Sequence, residues 1–153
     1  MQVNNKMIVD KTKAIINNYC KLSNFTFKKE DNIFTICEAN RGFMVLSIDF
    51  DNEEYHYTVT YFLYENMSKS DEIKYWSILD SQLLCMYLYK NQRELIFLED
   101  SNALVVSMGF KFHEISQINE VLLSELLKIS NFAKNTTALL NEIYLLNQQI
   151  ELN

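Results

Sequence analysis

The chain has 153 residues, 48% of them of hydrophobic type, which suits one compact domain with a sizeable core. Its 20 acids outnumber 14 bases for a formal charge of −6, the wrong balance for a protein that neutralises phosphates over its whole surface. With no proline, two glycines, no apolar run of about 18 residues and no apolar core at its start, the sequence excludes glycine-rich phosphate loops and predicts neither membrane insertion nor an export signal.

The first segment, about Lys6 to Leu22, sets Ile8, Ile15, Tyr19 and Leu22 at helical spacing with lysines between them, and Ser23 and Asn24 end it. Residues 1–29 hold six lysines against Asp10 alone, a local +5, while the remainder carries −11. Such a basic segment suits an acidic partner or nucleic acid, although lysines of this kind ordinarily form the solvated face of a helix.

Three strands follow, Ile33–Cys37, Phe43–Phe50 and Tyr55–Tyr64, separated by short polar loops. Closing the second loop with Phe50 opposite Tyr55 puts Ile48 against Tyr57, Leu46 against Val59 and Met44 against Tyr61 on one face. Closing the first with Cys37 opposite Phe43 puts Ile36 against Met44 and Phe34 against Leu46 on that same face. Two registers chosen independently thus agree on one apolar surface, and a three-strand antiparallel meander is the economical reading. The other face carries Ser47, Asp49, His56, Thr58 and Thr60, with Asp49 opposite His56 as a cross-strand charge pair. At one end it also carries Phe43, Val45, Phe62 and Tyr64, which require a cover from the fold, a second subunit or a partner.

A second helix is predicted from about Asp71 to Tyr89, capped by Ser70 or Asp71 and striped by Ile73, Trp76, Leu79, Leu83 and Met86. Tyr75, Ile78, Leu84, Tyr87 and Leu88 carry hydrophobicity well round the cylinder, so this helix needs more than one neighbour, and a second copy of the chain is one candidate. Glu94–Leu98 and Ala103–Phe112 read as strands joined by a polar turn. A last helix starts near Ser116 with Ile118, Leu122, Leu126, Ile129 and Ala133 as its stripe, continued by Leu140 and Tyr144. Unbroken to Leu146 it would exceed about 40 Å, so a break is predicted near Asn135-Thr136-Thr137, where helix propensity is poor. The fold class is α+β in the order α-β-β-β-α-β-β-α, an antiparallel sheet with flanking helices.

Residues for catalysis do not converge in the sequence. His56 and His113 stand on separate elements without metal-ligand spacing to cysteine or carboxylate. Cys20, Cys37 and Cys85 form no CxxC pair, fit a reducing compartment and sit in apolar stretches, where a cysteine is usually a small core hydrophobe. Phosphate-loop, dinucleotide, zinc-protease and nucleophile-elbow motifs are missing. The aromatic residues lack the interleaved arginine and lysine of sheet-based nucleic-acid readers. The sequence therefore predicts a non-enzymatic protein with no cofactor, no metal and no nucleic-acid partner.

From Tyr75 to Glu142 the chain reads YWSILDSQLLCMYLYKNQRELIFLEDSNALVVSMGFKF, a polar hinge, then INEVLLSELLKISNFAKNTTALLNE. A greasy second helix leading into a leucine-rich hairpin and a final helix rich in leucine and acids resembles the class I type III secretion chaperones, the CesT/SycE-like family of bacterial effector chaperones. The preceding helix and meander fit in order, so the resemblance covers nearly all of residues 1–153 as a single domain. A helical C-terminal extension from about 135 and the lack of proline depart from the family pattern.

The resemblance implies a cytoplasmic bacterial homodimer, joined through the second helix, that uses no cofactor. It implies binding of the N-terminal segment of a secreted effector in extended form, keeping the effector soluble and secretion-competent. By position it assigns effector binding to Ile8, Ile15, Tyr19, Phe43, Val45, Phe62 and Tyr64. It assigns the dimer interface to Ile78, Leu79, Leu83, Met86, Tyr87, Ile96 and Leu98. The alternative is a small dimeric regulatory adaptor of the same fold that binds a cytoplasmic regulator.

Overall fold

The computed structural model describes residues 3–51, 54–78 and 81–152; the side chains at 3, 4, 73, 74, 76, 77 and 150–152 lie outside that description. The elements in chain order are α1 (Val3–Ser23), β1 (Thr26–Glu30), β2 (Ile33–Glu38), β3 (Arg41–Asp51), β4 (Glu54–Tyr64), α2 (Lys69–Ile78), α3 (Gln82–Asn91), β5 (Leu95–Leu98), β6 (Ala103–Phe112) and α4 (Ile115–Leu152). The strands make one antiparallel sheet, flanked by helices, in the order β1-β2-β3-β4-β6-β5. The fold is α+β as the patterning predicts, with one strand and one helix more. No described helix is long and apolar enough to cross a membrane.

The chain forms two compact units, Met1–Tyr61 with Met108–Ser130, and Phe62–Ser107 with Asn131–Asn153. In the first, α1 stops where Asn24 turns left-handed (φ 62) and the Phe25 amide donates back to the Cys20 carbonyl at 2.8 Å. The chain then enters β1, a strand the hydrophobic pattern hides because TFKKE is largely exposed. Asp31 at φ 53 supplies the tight turn that pairs Glu30 with Ile33.

The β3–β4 register matches the predicted one at every pair, Phe50↔Tyr55, Ile48↔Tyr57, Leu46↔Val59 and Met44↔Tyr61. Phe34, Ile36, Met44, Leu46, Ile48, Tyr57 and Val59 are buried as the alternation requires. At the β2–β3 turn, Ala39 and Asn40 both take positive φ (50 and 65), the geometry of a two-residue hairpin loop. Beside it the register steps by one residue. Ile36 faces Met44 as predicted, but Cys37 faces Gly42 rather than Phe43. Phe43 is the extra residue of a bulge. Gly42 fits there without crowding, whereas a Cβ at that position would sit 2.8 Å from the Thr35 methyl and force it to shift.

The buried stripe of α1 is Ile8, Val9, Thr12, Ile16, Tyr19 and Cys20, rotated from the predicted one so that Leu22 is left 75% exposed. A polar residue, Thr12, holds the middle of this stripe at 0% exposure. Its hydroxyl donates to the Ile8 carbonyl at 2.8 Å and lies 2.6 Å from the Tyr57 hydroxyl. On α4, the Ser130 hydroxyl likewise donates to the Leu126 carbonyl at 2.9 Å and meets the Tyr19 hydroxyl at 2.6 Å. Each aliphatic hydroxyl has one proton, already given to its own helix, so both tyrosines act as donors. These two bonds tie α1 to β4 and to α4.

In the second unit, Met67, Tyr75, Ile78, Leu84, Leu104, Leu140 and Ile143 form the core. The predicted second helix is two helices. Ser81, at φ −58 and ψ 128, is off the helical region, and α3 begins after it with the Cys85 amide donating to the Ser81 carbonyl. Leu79, between them, lies outside the described residues, as do the side chains of Ile73 and Trp76. The cap of α2 is Ser68, not Ser70 or Asp71: its Oγ accepts the Asp71 amide at 3.2 Å, and its hydroxyl donates to Asp71 Oδ2 at 3.0 Å. At the start of α4, Gln117 Oε1 accepts the amides of His113 and Glu114, at 3.0 and 3.2 Å.

The predicted break near Asn135-Thr136-Thr137 does not occur. α4 runs 38 residues without interruption, about 57 Å at the usual rise. Thr136 and Thr137 satisfy their hydroxyls inside the helix, on the Phe132 and Ala133 carbonyls at 2.7 and 3.0 Å. The turns beyond them bury Leu140 and Ile143, and that tertiary contact outweighs poor local propensity. The predicted C-terminal extension is the continuation of this helix.

Candidate functional site

Of the three cysteines expected in the core, two are buried, whereas Cys85 is exposed on α3. Cys20 and Cys37 are buried, and burial, with the neighbouring Cys37, pushes the Cys20 thiol up to about 11. Such a thiol stays protonated near neutrality and is a poor nucleophile. Tyr57 is pushed up to about 12, chiefly by burial.

Both histidines of the chain converge on one carboxylate. Glu54 lies 3.1 Å from His56 Nε2, 3.9 Å from His113 Nδ1 and 4.0 Å from Lys111 Nζ. His56 does stand opposite Asp49 in the ladder, yet the carboxylate that its Nε2 approaches, at 3.1 Å, is Glu54, two residues away on its own strand and hence on the same face. The cluster is largely exposed, with side-chain exposures from 29% to 65%, where ion pairs contribute little. Among the described residues no group of three or more His, Cys, Asp or Glu is disposed to hold a metal ion.

The residues assigned to effector binding scatter. Ile8 and Tyr19 are core residues of the first unit, at 0% and 1% exposure, because the buried stripe of α1 runs through them. They are withdrawn as groove residues. Ile15 is half-buried. Phe43, turned by the bulge, has a cover within the chain: its ring lies 4.8 Å from Phe25 and 5.3 Å from Tyr61, both edge-on, and Phe25 in turn meets Tyr19 at 6.0 Å. Val45 is half-buried beside Thr35 and Thr60. Phe62 and Tyr64, also half-buried, belong to the second unit.

The residues assigned to the dimer divide differently. Ile78 is in the core at 4% exposure, so it is corrected from contact to core. Tyr87 stacks flat on Phe132 at 5.5 Å within the chain, and Leu98 is half-buried. Leu83, Met86 and Ile96 are exposed by 57%, 62% and 40%, joined by Tyr89 at 87%. Leu83, Met86 and Tyr89 recur every third residue and share one broad side of α3. Ile96 is on β5, an edge strand of the sheet, the kind of strand to which a further strand can add.

A concave feature of this unit is a cavity of about 80 Å³ between the end of β4, α2 and α4. Its buried floor is Met67, Ile78 and Leu140, and Tyr64, Tyr75 and Tyr144 supply aromatic surface. Asp71 and Asn141 are its exposed polar residues. Burial raises the Tyr64 phenol above its ordinary value, and the Asp71 carboxylate raises it further. Of this lining the sequence analysis gives binding roles to Tyr64 and Ile78, for other partners, and places Asp71, Tyr75, Leu140 and Tyr144 only as helix residues. The available signal was Asp71, Tyr75 and Ile78 at helical spacing, a face masked by the hydrophobicity all round the predicted helix.

Comparisons with protein-family models, with curated proteins and with solved structures find no match for this chain.

Proposed function

We propose that the chain is a binding protein of the secretion-chaperone kind, a cytoplasmic bacterial homodimer that holds the N-terminal segment of a secreted effector in extended, export-ready form. It does so without catalysis or cofactor. The observation that carries this reading is the exposed apolar side of α3, with Leu83, Met86 and Tyr89 more than half open to solvent, together with Ile96 on an edge strand. Large apolar side chains grouped in this way mark an interaction surface rather than ordinary scatter. A twofold contact through α3 and β5 covers it with the same surface of a second copy. The extended client adds to a free sheet edge, where backbone hydrogen bonds give affinity and alternate side chains give selectivity. The half-buried Phe62 remains as a side-chain contact of the client.

Light scattering on the purified chain at micromolar concentration tests the dimer. The expected mass is twice 18.1 kDa, and Leu83→Asp with Met86→Asp returns it to the monomer with unchanged circular dichroism. A monomeric parent chain removes the interface. The client is tested by co-purification from the native cells: a stoichiometric secreted protein, retained through its N-terminal segment and lost with Phe62→Asp in a folded variant, supports the chaperone. Recovery of a cytoplasmic regulator instead assigns the surface to a regulatory adaptor.

A further inference from the structure

The geometry points to a second binding site, independent of the chaperone reading: the tyrosine-walled cavity of the second unit takes an organic cation, an alkylammonium or guanidinium head on an apolar stem. Three observations converge on that class. The cavity of about 80 Å³ is several times the roughly 10–15 Å³ that a single water requires on the same measure, so a small head group can enter it. Tyr64, Tyr75 and Tyr144 line it, and aromatic faces attract cations through their quadrupole, most strongly where water is displaced. The charged residue on its lining is an acid, Asp71.

Asp71 is held ready. The Ser68 hydroxyl donates to its Oδ2 at 3.0 Å, and its own amide is anchored on Ser68 Oγ. Capping alone accounts for an acid at this place, but not for its sharing a cavity with three phenol rings. Asp71 and Tyr64 share the cavity lining, so the carboxylate and the aromatic wall act on one guest. The N-terminus of α2 carries a partial positive charge that opposes a cation, and the two carboxylates of its first turn, Asp71 and Glu72, offset it. The unit as a whole holds nine acids against five bases, a field that concentrates cations. The apolar floor accepts the stem, and the Tyr144 ring is steadied by its hydroxyl accepting the Gln148 amide at 2.6 Å.

The test follows the tyrosine ring signals of the full chain by NMR during titration with tetramethylammonium, methylguanidinium and the neutral tert-butanol. Both cations should give saturable shifts of Tyr64, Tyr75 and Tyr144, and tert-butanol should bind at least roughly tenfold more weakly. Asp71→Asn should weaken the cations roughly tenfold, and Tyr144→Leu, which keeps apolar bulk without the ring face, should weaken them with no gain or loss for the alcohol. A thermal melt confirms that each variant is folded. An arginine-containing hexapeptide distinguishes the sources: tighter binding than methylguanidinium assigns the site to a peptide side chain, and weaker binding assigns it to a free small cation. Equal affinity for the alcohol, indifference to Asp71→Asn, or no saturable shift with either cation overturns the proposal.

Discussion

Thr12→Val removes one hydroxyl from the middle of the first unit and leaves the shape of the side chain almost unchanged. Thr12 is fully buried and Tyr57 is 1% exposed, so no water replaces what is lost. The Ile8 carbonyl keeps its helical N–H partner and gives up only a second bond. Tyr57 fares worse, because its O–H donates to Thr12 at 2.6 Å and has no acceptor once the threonine oxygen is gone. A buried donor left unpaired costs about 1–3 kcal/mol, so Thr12→Val should destabilise the chain by about 2 kcal/mol. Tyr57→Phe removes the donor instead. Thr12 still gives its proton to Ile8, and an unfilled acceptor lone pair is the cheaper defect, so about 1 kcal/mol is expected. The double variant has neither orphan and should cost less than the two singles added, by about 1 kcal/mol. Urea unfolding followed by circular dichroism measures all four proteins, with unchanged slopes showing that stability alone has moved. Additivity within about 0.5 kcal/mol, or a Tyr57→Phe penalty larger than that of Thr12→Val, would refute the donor assignment.

Stability should fall in alkali over a window set by Tyr57. The unfolded chain releases that phenol proton near 10, whereas the folded chain holds it to about 12. The folded state therefore binds more protons between those values, so the contribution is full below pH 10 and is lost as pH rises toward 12. At 1.36 kcal/mol per unit the loss approaches about 2.7 kcal/mol, and Tyr19, Tyr61, Tyr64 and Tyr75, all raised by burial, add to it. Phenolate absorbance and circular dichroism should change together; smooth ionisation at the ordinary tyrosine value, with the fold retained, contradicts this account. Gly42→Ala should cost about 1–3 kcal/mol, because its methyl meets the Thr35 methyl at 2.8 Å. Adding Thr35→Ser removes that methyl and should restore most of the loss; no recovery in a thermal melt would show that the backbone, not the contact, requires glycine.

The sheet was the most legible part of the chain because strand periodicity carries register with it. Once Phe50 is set opposite Tyr55, pleating fixes every later pair, and a one-residue slip would have turned Met44, Leu46 and Ile48 to the wrong face. The same logic misses what departs from strict alternation. β1 is too polar to announce itself, and the bulge at Phe43 is legible only in hindsight, from a glycine beside a left-handed Ala39-Asn40 turn. Helical phase was harder. The buried stripe of α1 includes Thr12, which counts as polar in any hydrophobic pattern and becomes a core residue only because Tyr57, 45 residues away, supplies its partner. Chain propensity likewise argued for a break at Thr136, but the favourable term there is the packing of Leu140 and Ile143 on residues such as Met67 and Leu104. The candidate sites divide along the same line. The exposed side of α3 was readable as hydrophobicity in excess of what one core can bury. The tyrosine cavity was not, because Tyr64, Asp71, Tyr75 and Tyr144 come together only when an unbroken α4 returns to α2.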